Sequence, residues 1–249
     1  MKRLLAAVTL FTRIPAWRLA TLKEEHYRKA VVYWPLTGWI TGCMAGGMIY
    51  VLSFIMPLLP DVVLGLAVRM LLTCAIHEDG LADFCDGFGG GSDKEKILSI
   101  MKDSHIGTYG VIGLIVFLML EVSLLSSLPS EVAALAIIAS DPFSKHCASH
   151  IINRLDYARP EGAKNKILYD KMTFGQQFIN MLFGVIPVVP LLLFNKNVII
   201  SLLLPILIAI FLISYLKKKI SGYTGDCCGA TCLMCEASML MGIVIYFSL

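Results

Sequence analysis

The chain has 249 residues, of which 57% are apolar and 16% charged, against roughly 45–50% and 25% in a soluble domain. The net charge of +3 decides little by itself, whereas a mean hydropathy of +0.75 excludes a soluble fold, which could not hide that apolar excess. It equally excludes a disordered, collagen-like or disulfide-stapled chain. The composition predicts an all-α polytopic membrane bundle, with residues 1–249 forming one integral-membrane domain.

In chain order, Met1–Trp17 opens with a basic start and a short apolar stretch that Arg13 and Pro15 interrupt. No small-residue cleavage site follows, so the segment is read as mature chain, with residues 4–11 lying along the membrane interface. A spanning helix takes about 20 apolar residues. Seven segments are expected to cross: 31–56, 61–76, 109–128, 131–152, 178–194, 198–216 and 230–248. Of the 21 lysines and arginines, 18 fall in the N-terminal stretch and the connectors 77–108, 153–177 and 217–229, and only Lys196 falls on the other side. By the positive-inside rule the N-terminus and the long loops are cytoplasmic.

The run His77-Glu78-Asp79-Gly80-Leu81-Ala82-Asp83-Phe84-Cys85-Asp86-Gly87 follows the second span and is expected to continue its helix. Asp79, Asp83 and Asp86 then stand at i, i+4 and i+7 on one face. Three carboxylates on one stripe repel one another unless a cation lies between them, and oxygen-only ligands point to Mg²⁺, or Mn²⁺ in its place. Glu78 is about 100° off that stripe and a weaker ligand candidate. The bland alternative is a solvated acidic helix end. Against it, ionisable groups at a membrane boundary are expensive and usually functional. Gly90 and Gly91 offer backbone that can approach a phosphate.

Downstream, Lys102-Asp103-Ser104-His105 supplies a cation for phosphate, a carboxylate and an acid–base histidine. Asp141 and Lys145, at i and i+4 within the fourth span, are placed to neutralise each other. Arg154 and Arg159 suit bidentate phosphate binding, although topology alone would also put them there. Asp226 stands at the entry to the last span, and Glu236 lies about three turns inside it. The eight cysteines, including Cys232-x-x-Cys235, are read as packing residues.

Taken together these runs resemble the cobalamin synthase family, the adenosylcobinamide-GDP ribazoletransferases. The resemblance is carried by Phe11-Thr12-Arg13-Ile14-Pro15, Pro35-Leu36-x-Gly38 and Glu78-Asp79-Gly80-Leu81-Ala82-Asp83 with Asp86-Gly87. It continues through Gly90-Gly91, Lys102-Asp103-Ser104 with Ile106-Gly107 and Gly110, Tyr157-Ala158-Arg159-Pro160-Glu161-Gly162, and Gly222-x-Thr224-Gly225-Asp226-x-x-Gly229-Ala230 followed by Glu236. It implies an Mg²⁺-dependent inner-membrane enzyme that joins adenosylcobinamide-GDP to α-ribazole or its 5′-phosphate and releases GMP. In that reaction Asp79, Asp83 and Asp86, with Glu78 at the margin, hold the metal. Asp83, Asp86, Asp103 or Asp226 takes the hydroxyl proton, and Arg13, Lys102, His105, Arg154, Arg159, Gly90 and Gly91 form the pool of substrate contacts. The expected partners are the two substrates and membrane lipid, with no nucleic acid. A homo-oligomer, or association with other cobalamin-assembly enzymes, stays open. The bulky corrinoid is expected to rest partly against the membrane interface near Trp17, Trp34 and Trp39, although an ordinary interfacial belt would place tryptophans there as well.

Two other readings compete. A CDP-alcohol phosphatidyltransferase also uses an aspartate-rich boundary helix, but Ala82 is followed here by Asp83 where that pattern has arginine. A transporter or cation channel would use Asp141 and Glu236 along a path, yet the chain shows no paired repeat.

Overall fold

The computed structural model describes residues 1–159 and 168–248, and these are helical with one isolated bridge, between Tyr157 and Tyr223. The helices are α1 (Lys2–Phe11), α2 (Glu24–Arg28), α3 (Trp34–Leu52), α4 (Leu58–Thr73), α5 (Ile76–Gly90) and α6 (Lys94–Lys102). They continue with α7 (Thr108–Ser126), α8 (Ser130–Arg154), α9 (Phe174–Val185), α10 (Val189–Phe194), α11 (Leu203–Ile220) and α12 (Gly225–Ser248).

Among the described residues five helical stretches are long and apolar enough to cross a membrane: Ala30–Leu52, Thr108–Ser126, Phe174–Phe194, Lys196–Ile220 and Gly225–Phe247. The protein is an integral membrane protein, but the expected seven spans are not all present as such. The fourth, α8, is a 25-residue helix at the centre of the bundle, where other helices shelter Asp141, Lys145 and its small residues from lipid. A helix enclosed by protein needs no lipid-compatible surface, so its hydropathy is low.

The second expected span differs most. Its helix does not run on into the carboxylate run: α4 and α5 meet at an 89° bend. Cys74 and Ala75 both adopt left-handed backbone, with φ of 57° and 52°. Ala75 N–H bonds back to the Met70 carbonyl at 2.9 Å, closing a left-handed helix cap of the kind glycine usually makes. From the other side, the backbone N–H of Arg13 donates to the Leu72 carbonyl at 2.6 Å and occupies an acceptor that the break exposes.

Two devices hold the bundle around this break. On α3, Gly38, Gly42 and Gly46 press directly on the backbone of α8; a Cβ at Gly38 would lie 2.7 Å from the Pro142 Cα. Such small residues four apart let membrane helices pack backbone to backbone. The second device is a buried ion cluster. Arg69 of α4 donates to Glu236 of α12 at 2.7 Å and to Glu121 of α7 at 2.8 Å, and lies 3.9 Å from Glu78 of α5. Beside it on α8, Lys145 pairs with Asp141 as their spacing predicts, and Asp141 also accepts from Thr41 of α3 at 2.5 Å. The cysteines are free thiols, and Cys227, Cys228, Cys232 and Cys235 are buried.

Candidate active site at the break between α4 and α5

Because the chain turns at Cys74–Ala75, α5 lies across the end of α4, and α12 packs against it. The approach is closest at Gly80, where a Cβ would stand 3.0 Å from the Asp226 carbonyl oxygen. Side-chain-free backbone there brings the entry of α12 onto the first turn of α5. Asp79 and Asp226 therefore line one cavity of about 280 Å³, and Arg159 reaches it from the loop after α8.

Much of that cavity is aromatic. Trp34 stacks on Phe11 with ring centroids 5.1 Å apart and on His77 at 6.0 Å, and Tyr169 lies 6.4 Å from Phe11. Tyr157 and Tyr223 meet edge to face at 5.4 Å. Their loops are stitched by Ala158 N–H to the Tyr223 carbonyl at 2.8 Å and Tyr223 N–H to the Asp156 carbonyl at 3.0 Å. Burial pushes the Tyr157, Tyr169 and Tyr223 hydroxyls up from their usual range, so all three are neutral phenols at physiological pH. A second cavity, lined by Thr12, Thr73, Glu78 and Leu114, meets the first at Ile76 and Asp79.

The other expected site residues divide around this centre. Asp83 is half-buried one turn beyond Asp79 on α5. Asp86 is buried, and its two carboxylate oxygens accept from the backbone N–H groups of Gly107 at 2.7 Å and Gly110 at 2.8 Å. It thereby caps the N-terminus of α7. That contact also explains both glycines, since a Cβ on either would collide with the Asp86 carboxylate. Glu78 points into the Arg69 cluster. Asp103 pairs with His105 at 2.6 Å on the exposed surface, and this hydrogen bond holds its carboxyl below the usual range.

Arg13, Lys102 and Arg154 have exposed side chains, and none of them lines either cavity. Gly90 ends α5, and Gly91 turns the chain into α6 under Ile97. Arg159 spends one guanidinium N–H on the Leu98 carbonyl at 2.8 Å. Pro160, Glu161 and Gly162 of its motif lie outside the described residues. Of the three tryptophans, Trp34 is 2% exposed, Trp39 donates its indole N–H to the Phe183 carbonyl, and Trp17 is exposed. With Trp34 buried, the three do not form one exposed aromatic face for a corrinoid.

No three of the described His, Cys, Asp and Glu side chains converge into a ready-made metal cage. Mg²⁺ does not require one, because it is commonly held by one or two carboxylates with substrate phosphates and water completing its shell. Asp79 and Asp83, oxygen donors one turn apart on α5 with Asp79 opening on the cavity, fit that arrangement. Sequence reasoning gave no site role to Phe11, His77, Tyr157, Tyr169 or Tyr223, and took Trp34 only as one of three corrinoid-facing tryptophans. For Phe11, Tyr157 and Tyr223 a signal existed, since each sits inside a motif quoted for other residues.

Proteins named adenosylcobinamide-GDP ribazoletransferase match nearly end to end. The one from Leptospira interrogans is 36% identical over 244 residues, covering 94% of this chain and 91% of that protein. That from Ralstonia pickettii is 35% identical over 247 residues, covering 97% and 94%. That from Leptospira biflexa is 30% identical, with both chains covered in full. No solved structure matches. The model of the Cobalamin-5-phosphate synthase family matches residues 3–244, and the chain belongs to that family.

Proposed function

We propose that the protein transfers the adenosylcobinamide-phosphate group of adenosylcobinamide-GDP to α-ribazole or its 5′-phosphate. GMP is released and adenosylcobalamin or its 5′-phosphate is formed, a late step of cobalamin biosynthesis. The reaction runs at the cytoplasmic face of the cell inner membrane, the orientation that the placement of lysine and arginine favours. The names of the relatives support the substrates. The observation that carries the reading is the meeting of Asp79, Asp226 and Arg159 in one cavity.

In the reaction an oxygen–phosphorus bond forms between the ribazole hydroxyl and the phosphorus bearing the cobinamide. The bond from that phosphorus to the GMP oxygen breaks. Displacements of this kind need positioning and charge neutralisation more than covalent help from the protein. Asp79 and Asp83 would hold Mg²⁺, or Mn²⁺ in its place. When bound, the ion supplies positive charge to the diphosphate and to the departing GMP. Arg159 orients the phosphate from the facing loop. Asp226 accepts the hydroxyl proton. The base candidates Asp86 and Asp103 do not line that cavity: Asp86 lies under the start of α7 and Asp103 beside His105 at the surface.

The test is purified protein in mild detergent with Mg²⁺, adenosylcobinamide-GDP and α-ribazole 5′-phosphate, with GMP and the corrinoid product followed by mass spectrometry. Product that requires the divalent ion and is lost in Asp79→Asn and Asp83→Asn supports the reading. No product from well-folded wild-type protein, or release of CMP from a CDP-alcohol instead, overturns it.

A further inference from the structure

The aromatic part of the cavity has two features that the displacement itself does not use. Trp34 and His77 line it, are 2% and 5% exposed, and each carries a buried ring nitrogen, Nε1 of Trp34 and Nε2 of His77, with no hydrogen-bond partner among the described residues. Buried polar groups of this kind are costly to leave unmade and are normally satisfied. Here both lie in a continuous run of stacked rings, Tyr169–Phe11–Trp34–His77, facing the Tyr157–Tyr223 pair. Such walls accept the faces of a flat ring, and the two orphan nitrogens ask for polar atoms at its edge.

We infer that this cavity is the subsite for the acceptor nucleoside: a flat fused-ring N-riboside lies between the aromatic walls and offers ring-nitrogen and sugar oxygen partners to Trp34 and His77. The sugar hydroxyl then faces Asp79 and Asp226. The inference rests on the proposed reaction, in which that riboside is α-ribazole.

Two arguments separate it from the other substrate. A cavity of about 280 Å³ is too small for a corrin macrocycle. A guanine needs a carboxylate or amide set against its donor edge, and both carboxylates here are committed to the reacting phosphate. Adenosylcobinamide-GDP therefore approaches from outside the aromatic walls, on the far side of Asp79. There the second cavity begins, lined by Thr12, Thr73 and Leu114 and by no aromatic ring.

Two variants test the assignment without touching the carboxylates or Arg159. Gly225 lines the cavity, and a Cβ there meets nothing within 4 Å, so Gly225→Leu fills the space without a backbone clash. Trp34→Phe keeps a ring in the stack and removes the indole N–H. With adenosylcobinamide-GDP saturating, each is expected to raise KM for α-ribazole 5′-phosphate about 10-fold, the scale of one lost hydrogen bond or a blocked contact. KM for adenosylcobinamide-GDP should stay within about twofold.

A binding measurement on wild-type protein guards against variants that fail to fold. α-Ribazole, and not GMP, should quench indole fluorescence, and Trp17→Phe, which alters an exposed indole, should retain that quenching. A KM effect that falls on adenosylcobinamide-GDP, or quenching by GMP in place of α-ribazole, would overturn the subsite and leave the reaction standing. Wild-type protein that yields no product from the two substrates would instead remove the reaction on which the subsite rests.

Discussion

Asp79 and Asp86 stand about two turns apart on one stripe of α5, yet they do different work, and the difference lies in what each oxygen meets. Asp79 is exposed to the cavity, so Asp79→Asn removes a charge without unburying or orphaning anything. It is expected to lower kcat on the order of 100-fold or more while thermal unfolding in detergent stays unchanged. Asp226→Asn should lower kcat on the same scale. Asp86→Ala, by contrast, strips the partners from the Gly107 and Gly110 N–H groups at the start of α7. The expected cost is about 1–2 kcal/mol, seen as a lower thermal midpoint with or without substrates. At the exposed Asp103–His105 pair, Asp103→Asn should leave both kcat and the thermal midpoint where they are, because neither residue lines the cavity. Steady-state kinetics beside melting curves for the four proteins therefore sorts chemistry from capping.

At the scale of elements, what was legible in the sequence is what repeats along it. Each of the seven apolar segments is helical, and the expected stripe of Asp79, Asp83 and Asp86 does share one helix, α5. The break before α5 was not legible, because Thr73-Cys74-Ala75-Ile76 contains neither glycine nor proline. It is imposed from outside, by the Arg13 N–H on Leu72 and by the Arg69–Glu78 contact that folds α5 back across α4. The aromatic cavity escaped for a related reason. Phe11, Trp34, His77, Tyr157, Tyr169 and Tyr223 come from distant parts of the chain, and no local spacing joins them. A break held against local preference carries strain that can be measured. Left-handed backbone costs a residue with a Cβ about 1–2 kcal/mol, whereas glycine adopts it readily but starts from a freer unfolded state. Ala75→Gly is accordingly expected to raise stability by about 0.5–1 kcal/mol with kcat unchanged. A lower thermal midpoint would show that the bend is set by packing alone.

For the whole molecule the Arg69 cluster matters most, since it ties α4, α5, α7 and α12 together at one point. The second oxygens of Glu78 and Glu121 are buried there without a hydrogen-bond partner among the described residues, so the cluster is rich in acceptors and poor in donors. Removing the arginine is far more damaging than removing one glutamate, because it leaves buried carboxylates facing one another. Arg69→Met is expected to cost about 3–5 kcal/mol, enough to prevent accumulation of folded protein in the membrane. Arg69→Lys should recover only part of this, since one ammonium cannot span Glu121 and Glu236 as two guanidinium nitrogens do. The decisive protein is the triple variant Arg69→Met with Glu121→Gln and Glu236→Gln, in which no counter-charge is demanded at either contact. If the cluster acts through charge balance, the triple variant is more stable than Arg69→Met alone, and the non-additivity is the coupling energy of the group. Because Glu78 immediately precedes Asp79, the rescued protein should still turn over more slowly than wild type, its α5 no longer drawn onto α4 at that point. Full activity in the rescued protein would mean that packing of α12 on Gly80 suffices to place Asp79. Activity that stays low while stability returns would make Arg69 the residue that positions the catalytic helix.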